Sequence, residues 1–127
     1  MSDDGLKSFK EILESERVEI NSKKGRDGER PYAALCLSGG GIRSASFNLG
    51  LIQALARERL LDKFDYLSTV SGGGYIGAWL TSWLQHSSID RVVQDLTTVA
   101  REKPGPEQVL HLRRYSNYLT PRLGLAS

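Results

Sequence analysis

Two serines in this chain are each followed directly by three glycines, Ser38-Gly-Gly-Gly41 and Ser71-Gly-Gly-Gly74. Each follows a short strand-like run, residues 32–37 before the first and 64–70 before the second, and each precedes a segment with helical periodicity. A serine at a sharp strand-to-helix turn is lifted out of the carboxyl edge of a sheet, because small neighbours permit a strained backbone and a close adjoining chain. Ser71 has that setting, and the helix starting near Gly72 adds partial positive charge that favours an alkoxide and the anion formed on attack. It also has the setting of an ordinary N-cap, and the serine alone does not choose between nucleophile and cap. The first turn supplies what the serine lacks. Glycines at 39, 40 and 41 let successive backbone N–H groups converge on one small volume, where a developing oxyanion can be held. A phosphate cradle uses the same physics. A P-loop, however, needs Gly-Lys followed by Ser or Thr, which does not occur, and the dinucleotide pattern needs a glycine where Ser44 stands. Acyl transfer therefore outranks nucleotide binding.

Placing these turns requires strand, helix, strand and helix in that order, and the periodicity supplies them. Residues 32–37 form a continuous apolar run that predicts a strand buried on both faces. From Ile42 to about Arg59, Ala45, Leu49, Ile52 and Ala56 share one helical face that Phe47, Leu51 and Leu55 widen, and Gly50 inside it predicts close backbone packing. Leu60 to Lys63 ends this helix. Residues 64–70, aromatic and β-branched, predict the second strand. Ile76, Trp79, Leu80 and Trp83 then mark a helix that fades at Gln85 and His86. Ser87 with Asp90 resembles a capping box for another helix carrying Ile89, Val92, Val93, Leu96 and Val99 or Ala100, which Lys103-Pro-Gly-Pro106 stops. The tail from Tyr115 to Arg122 reads as a loop. Upstream, Leu6, Phe9, Ile12 and Leu13 place a short amphipathic helix over residues 3–16, capped by Asp3 or Asp4, and residues 21–30 read as an exposed linker. Packing on the domain is one role for that helix; contact with a membrane surface is another. The order of elements gives an α/β class, a parallel sheet with right-handed crossovers and helices on its faces. Two strands do not make a stable sheet of this kind, so further strands are expected beyond Ser127 or from a partner. Residues 1–30 are expected as helix and linker, and 31–127 as the N-terminal portion of a catalytic domain.

Leu37-Ser-Gly-Gly-Gly-Ile-Arg-Ser44, followed after one helix by Leu67-Ser-Thr-Val-Ser-Gly-Gly-Gly74, resembles the patatin-like phospholipase family over about residues 32–84. That family pairs a Gly-Gly-Gly-x-Arg turn with a Gly-x-Ser-x-Gly elbow. The resemblance implies a three-layer α/β/α fold with a mainly parallel sheet, and a lipid acyl hydrolase acting on acyl lipids or esters through a Ser–Asp dyad, without a cofactor. Carried over residue by residue, it makes Gly39, Gly40, Gly41 and Arg43 the oxyanion hole, Ser71 the nucleophile, and Thr69 and Gly73 the flanks of the elbow. Thr69 stands where the elbow usually has glycine and crowds the turn. Ser44 replaces the usual third glycine of the first motif. The family's Asp lies in a later Asp-Gly-Gly or Asp-Gly-Ala motif, and neither triplet follows Ser71. Asp90 and Asp95 lie too near in sequence, on a predicted helix, and Asp4-Gly5 and Asp27-Gly28 precede the core. The chain is therefore expected to be inactive as it stands, and a noncatalytic scaffold of this family is the rival reading.

His86 and His111 are the alternative bases, the first at a helix end, the second in a basic amphipathic stretch where a surface histidine is ordinary. The lone Cys36 reads as small buried filler, Trp79 and Trp83 as core residues, and no Cys/His cluster has metal-ligand spacing. Seventeen Lys and Arg against fifteen Asp and Glu give a net charge of +2, too slight for a nucleic-acid surface. Residues 72–84, the longest near-apolar stretch, fall short of the ~20 residues that span a bilayer, and no secretory signal opens the chain. A cytoplasmic or membrane-associated location is the expectation.

Overall fold

The computed structural model describes residues 7–25, 31–98 and 106–115, in two units that divide between Tyr32 and Ala33. In the first, helix α1 spans Phe9–Lys24. Ser8 and Glu11 cap it reciprocally: the Ser8 N–H donates to Glu11 Oε2 at 2.7 Å and the Glu11 N–H to Ser8 Oγ at 3.3 Å, so two otherwise unpaired donors of the first turn are satisfied. Asp3 and Asp4, the expected caps, lie outside the described residues. The helix also runs past its expected end through half of the expected linker. Lys23 reaches back one turn to Glu19, and termination waits for Gly25, whose left-handed backbone (φ 57°) closes the last turn onto Asn21. Phe9, Ile12 and Val18 are exposed.

The second unit begins with β1 (Ala34–Leu37), α2 (Gly41–Arg57), a 3-10 turn at Leu61–Lys63 and β2 (Tyr66–Thr69). It continues with α3 (Gly72–His86), α4 (Ile89–Thr98) and α5 (Glu107–Tyr115). The strands pair in parallel, Ala34 opposite Tyr66 through Leu37 opposite Thr69, and α2 is the crossover that parallel pairing demands. Both strands are shorter than expected. At the mouth of the pair the Asp65 carboxylate accepts from the Ala33 N–H at 2.9 Å, where a ladder bond would otherwise lie.

Leu35 and Leu37 point into a core completed by Ala45, Ile52 and Ala56 of α2, Ile76, Leu80 and Trp83 of α3, Val92 and Leu96 of α4, and Val109 and Leu112 of α5. Burying each of the larger aliphatic side chains stabilises the unit by about 1.5–3 kcal/mol. The helices α2, α3 and α4 pack on one another, and α3 lies against both strands. Strand β1 is not buried on both faces as expected. Its side chains alternate, Ala34 and Cys36 exposed and Leu35 and Leu37 buried, because the described helices cover one side of the pair, so Cys36 is not core filler. Gly50 departs from expectation too: a Cβ there would meet open space. Helix α4 is capped by Ser88, whose Oγ accepts from the Arg91 N–H at 3.3 Å, not by Ser87. Trp83 is buried, while Trp79 is half-buried and donates its indole N–H to the Gln108 carbonyl at 3.1 Å, tying α3 to α5. Val99, Ala100 and the tail from 116 lie outside the described residues. Among those described, no helix is long and apolar enough to cross a membrane.

Candidate active site

At the end of β2 the Val70 N–H extends the ladder to the Leu37 carbonyl at 3.1 Å, and the Gly73 N–H turns back onto the Val70 carbonyl at 2.9 Å. The chain thus swings from strand to helix within three residues, and Ser71 sits at the apex with φ 51° and ψ −117°. Among the described residues only Arg59 and Ser71 combine a side chain with positive φ. Such a backbone costs on the order of 1–3 kcal/mol and persists only where the surroundings impose it. An ordinary N-cap has an extended backbone and a side-chain oxygen that accepts from the first turn. Ser71 has neither: its side chain makes no capping bond, and the residue is exposed at the head of α3. The cap reading therefore fails on geometry, and the strained strand-to-helix elbow is what stands there.

The elbow is imposed by the first glycine turn lying directly beneath it. A Cβ on Gly73 would fall 2.2 Å from the Leu37 carbonyl oxygen, and one on Gly72 2.3 Å from that of Gly41. On the facing side a Cβ on Gly39 would lie 2.9 Å from the Ser71 Cβ. Gly39 and Ser71, separate in sequence, thus approach so closely that a side chain on Gly39 has no room. Gly40 and Gly41, with φ of 137° and 67°, carry the chain from β1 into α2 along a path that strains residues with side chains. Among the described residues, no hydrogen bond engages the N–H groups of Gly39, Gly40 or Gly41.

Helices α2 and α3 both begin here, and neither first turn holds an acidic residue. Their N-terminal partial charges therefore add over the same small volume. Arg43, in the first turn of α2 and exposed, adds a full positive charge to that end. The arrangement offers a side-chain hydroxyl, neighbouring unengaged amides and a positive field, which together suit an anion forming on a carbonyl oxygen. Beside it, Leu67, Thr69, Gly74, Gly77 and Ala78 line an open groove along α3. Thr69 does not crowd the turn. Its Cγ2 points at α3, where a Cβ on Gly77 would be only 2.5 Å away, so Gly77 provides the room that the β-branched residue takes.

Other expected groups are not brought to this point. Helix α3 separates Ser71 from His86 by its full 15 residues, about 20 Å at 1.5 Å per residue. His86 and His111 instead share a groove with Trp79 and Trp83, lined by the second half of α3 and the start of α5. Asp90 and Asp95 lie on α4, where Asp95 accepts from Arg91 Nε at 3.2 Å. Asn48 escaped notice in the sequence although it is only 2% exposed. It donates from Nδ2 to the Ser38 carbonyl at 3.0 Å and to Ser44 Oγ at 3.2 Å, and Ser44 Oγ itself donates to that carbonyl. The signal was an amide sitting on the apolar face of α2, one turn after Ser44.

The sequence matches the family model described as patatin-like phospholipase over residues 35–124, more than two thirds of the chain. No curated protein and no solved structure matches it.

Proposed function

The chain belongs to the patatin-like phospholipase family, and from that premise we propose that it carries the nucleophile and oxyanion hole of a serine lipid acyl hydrolase. The observation that carries the reading is the positive φ of Ser71 at an elbow packed closely against Gly39. In the reaction, Ser71 Oγ attacks the ester carbonyl carbon while its proton passes to a base. The carbonyl oxygen, now an anion, is held by amides of Gly39, Gly40 and Gly41, with Arg43 adding long-range charge. The tetrahedral species collapses as the base returns the proton to the leaving oxygen and the alcohol departs; water then attacks the acyl-serine, giving a proton to the base, which passes it to Ser71 Oγ as the fatty acid is released. Thr69 and Gly73 shape the elbow without touching the reacting atoms.

A serine hydroxyl is a poor nucleophile near neutral pH without a positioned base. His86 stands a helix length from Ser71, and the family resemblance calls for a base of another kind, an Asp in an Asp-Gly-Gly or Asp-Gly-Ala triplet, which does not occur between residues 72 and 127. The proposal is tested with the full-length protein and short-chain nitrophenyl esters as substrates. Turnover that disappears in Ser71→Ala without a change in unfolding temperature is the expected result. Turnover that persists in Ser71→Ala removes Ser71 from the mechanism. Absence of turnover and of serine-directed labelling in the wild-type protein supports the noncatalytic scaffold instead.

A further inference from the structure

Resting on the assignment of the glycine turn as an oxyanion hole, we infer that Asn48 and Ser44 are positioning residues that aim the Gly39 N–H. Three hydrogen bonds close on the Ser38 carbonyl and its neighbours: Asn48 Nδ2 to Ser38 O, Asn48 Nδ2 to Ser44 Oγ, and Ser44 Oγ to Ser38 O. The donor count is complete. Asn48 uses both amide hydrogens, Ser44 its one hydroxyl hydrogen, and the carbonyl both lone pairs. A carbonyl only accepts, so the orientation of the Asn48 amide and the direction of the Ser44 hydroxyl are both forced.

The consequence follows from the peptide unit. Ser38 and Gly39 share one planar group, and in a trans peptide the N–H points opposite to the C=O. Tying the Ser38 oxygen into α2 with two donors therefore turns the Gly39 N–H away from that helix. The same Gly39 lies against Ser71, within 2.9 Å of its Cβ if it bore a side chain. Without the tether, the glycines that make this turn could rotate that peptide freely, since glycine has two halves of φ space open to it. Asn48 sits deep enough, at 2% exposure, that water does not compete for its donors, and a network in such surroundings holds its geometry more firmly than one in solvent. Ser44, where the family usually has a third glycine, is thereby part of the device.

Two substitutions and one restoring variant test this in the complete protein. Asn48→Asp keeps the shape but removes both donors, and Ser44→Ala removes the other. Expected losses in kcat are ~10²-fold for Asn48→Asp and ~10-fold for Ser44→Ala, at or below the cost of losing one oxyanion donor, with KM within about twofold. Ser44→Thr, which keeps the hydroxyl, retains most of kcat. Because Asn48→Asp buries a charge and can fail to fold, Ser44→Ala carries the kinetic test alone if it must. A second readout needs no turnover: the Gly39 amide resonance should move in Ser44→Ala and return in Ser44→Thr, while that of the solvent-facing Gly50 stays. Folded variants with unchanged kcat, beside an inactive Ser71→Ala, overturn the inference and leave the nucleophile standing. An unmoved Gly39 resonance overturns it as well. Wild-type activity in Ser71→Ala instead sinks the hydrolase reading, and the amide resonance alone then decides the positioning.

Discussion

Ser71 holds a conformation that a side chain resists, and its glycine neighbours are what let the elbow keep it. Gly73 is the sharpest case. A methyl group there would sit 2.2 Å from the Leu37 carbonyl, and the obstacle is backbone within the sheet rather than a movable side-chain end. Gly73→Ala should lower the unfolding free energy by about 1–3 kcal/mol, the usual cost of overpacking, seen as an earlier thermal transition. Gly41 separates conformation from crowding. Its Cβ would meet nothing within 4 Å, but φ is 67°. Gly41→Ala should cost only about 1–2 kcal/mol of stability, whereas turnover per folded molecule should fall ~10²-fold if its amide faces the oxyanion. Full activity per folded molecule in that variant would reduce the triplet to a structural turn.

Among the elements, α2 does two jobs, connecting the parallel strands and presenting its N-terminus beneath the elbow. Its one evident weakness is Gly50, which is helical, exposed and has open space at its Cβ position. Gly50→Ala should therefore raise stability by about 0.5–1 kcal/mol and leave the Gly39 amide undisturbed; a lowered melting temperature would mean an unrecognised contact. The helices were readable from the sequence because their apolar residues recur with a 3.6-residue period, and α2 and α3 end within two residues of expectation. What escaped was of another kind. Cys36 seemed buried because a run of apolar residues carries no information about which faces other elements cover. Gly50 seemed a close-packing point because a glycine's neighbours are tertiary. Asn48 went unread because its partner is a carbonyl ten residues upstream, which no side-chain pattern records. Helix α1 ran long because the polar residues 21–24 look like a linker, yet Gly25 alone ends it. At the site itself, both serine–glycine turns were legible, and the resemblance supplied the roles proposed for them. The contact between them, and the room that Gly77 gives Thr69, required coordinates.

For the molecule as a whole, the described strands leave Ala34, Cys36 and Leu67 exposed on the sheet and Val70 exposed beside Ser71. His86 stands a full helix length from the serine. Under the proposed mechanism Ser71 needs a base, and among the described residues no side chain is hydrogen-bonded to it, so residues 1–127 alone should hydrolyse short-chain esters no faster than the Ser71→Ala variant. A full-length protein that carries the base should exceed both by orders of magnitude. Ester hydrolysis by residues 1–127 that Ser71→Ala abolishes would place a working base within them. The central claim, that Ser71 is the nucleophile, is tested most directly by treating the complete protein with a fluorophosphonate and locating the adduct by peptide mass spectrometry. The account predicts a single phosphonylated peptide carrying Ser71, absent in Ser71→Ala; an adduct on another residue, or equal labelling of the variant, would contradict it.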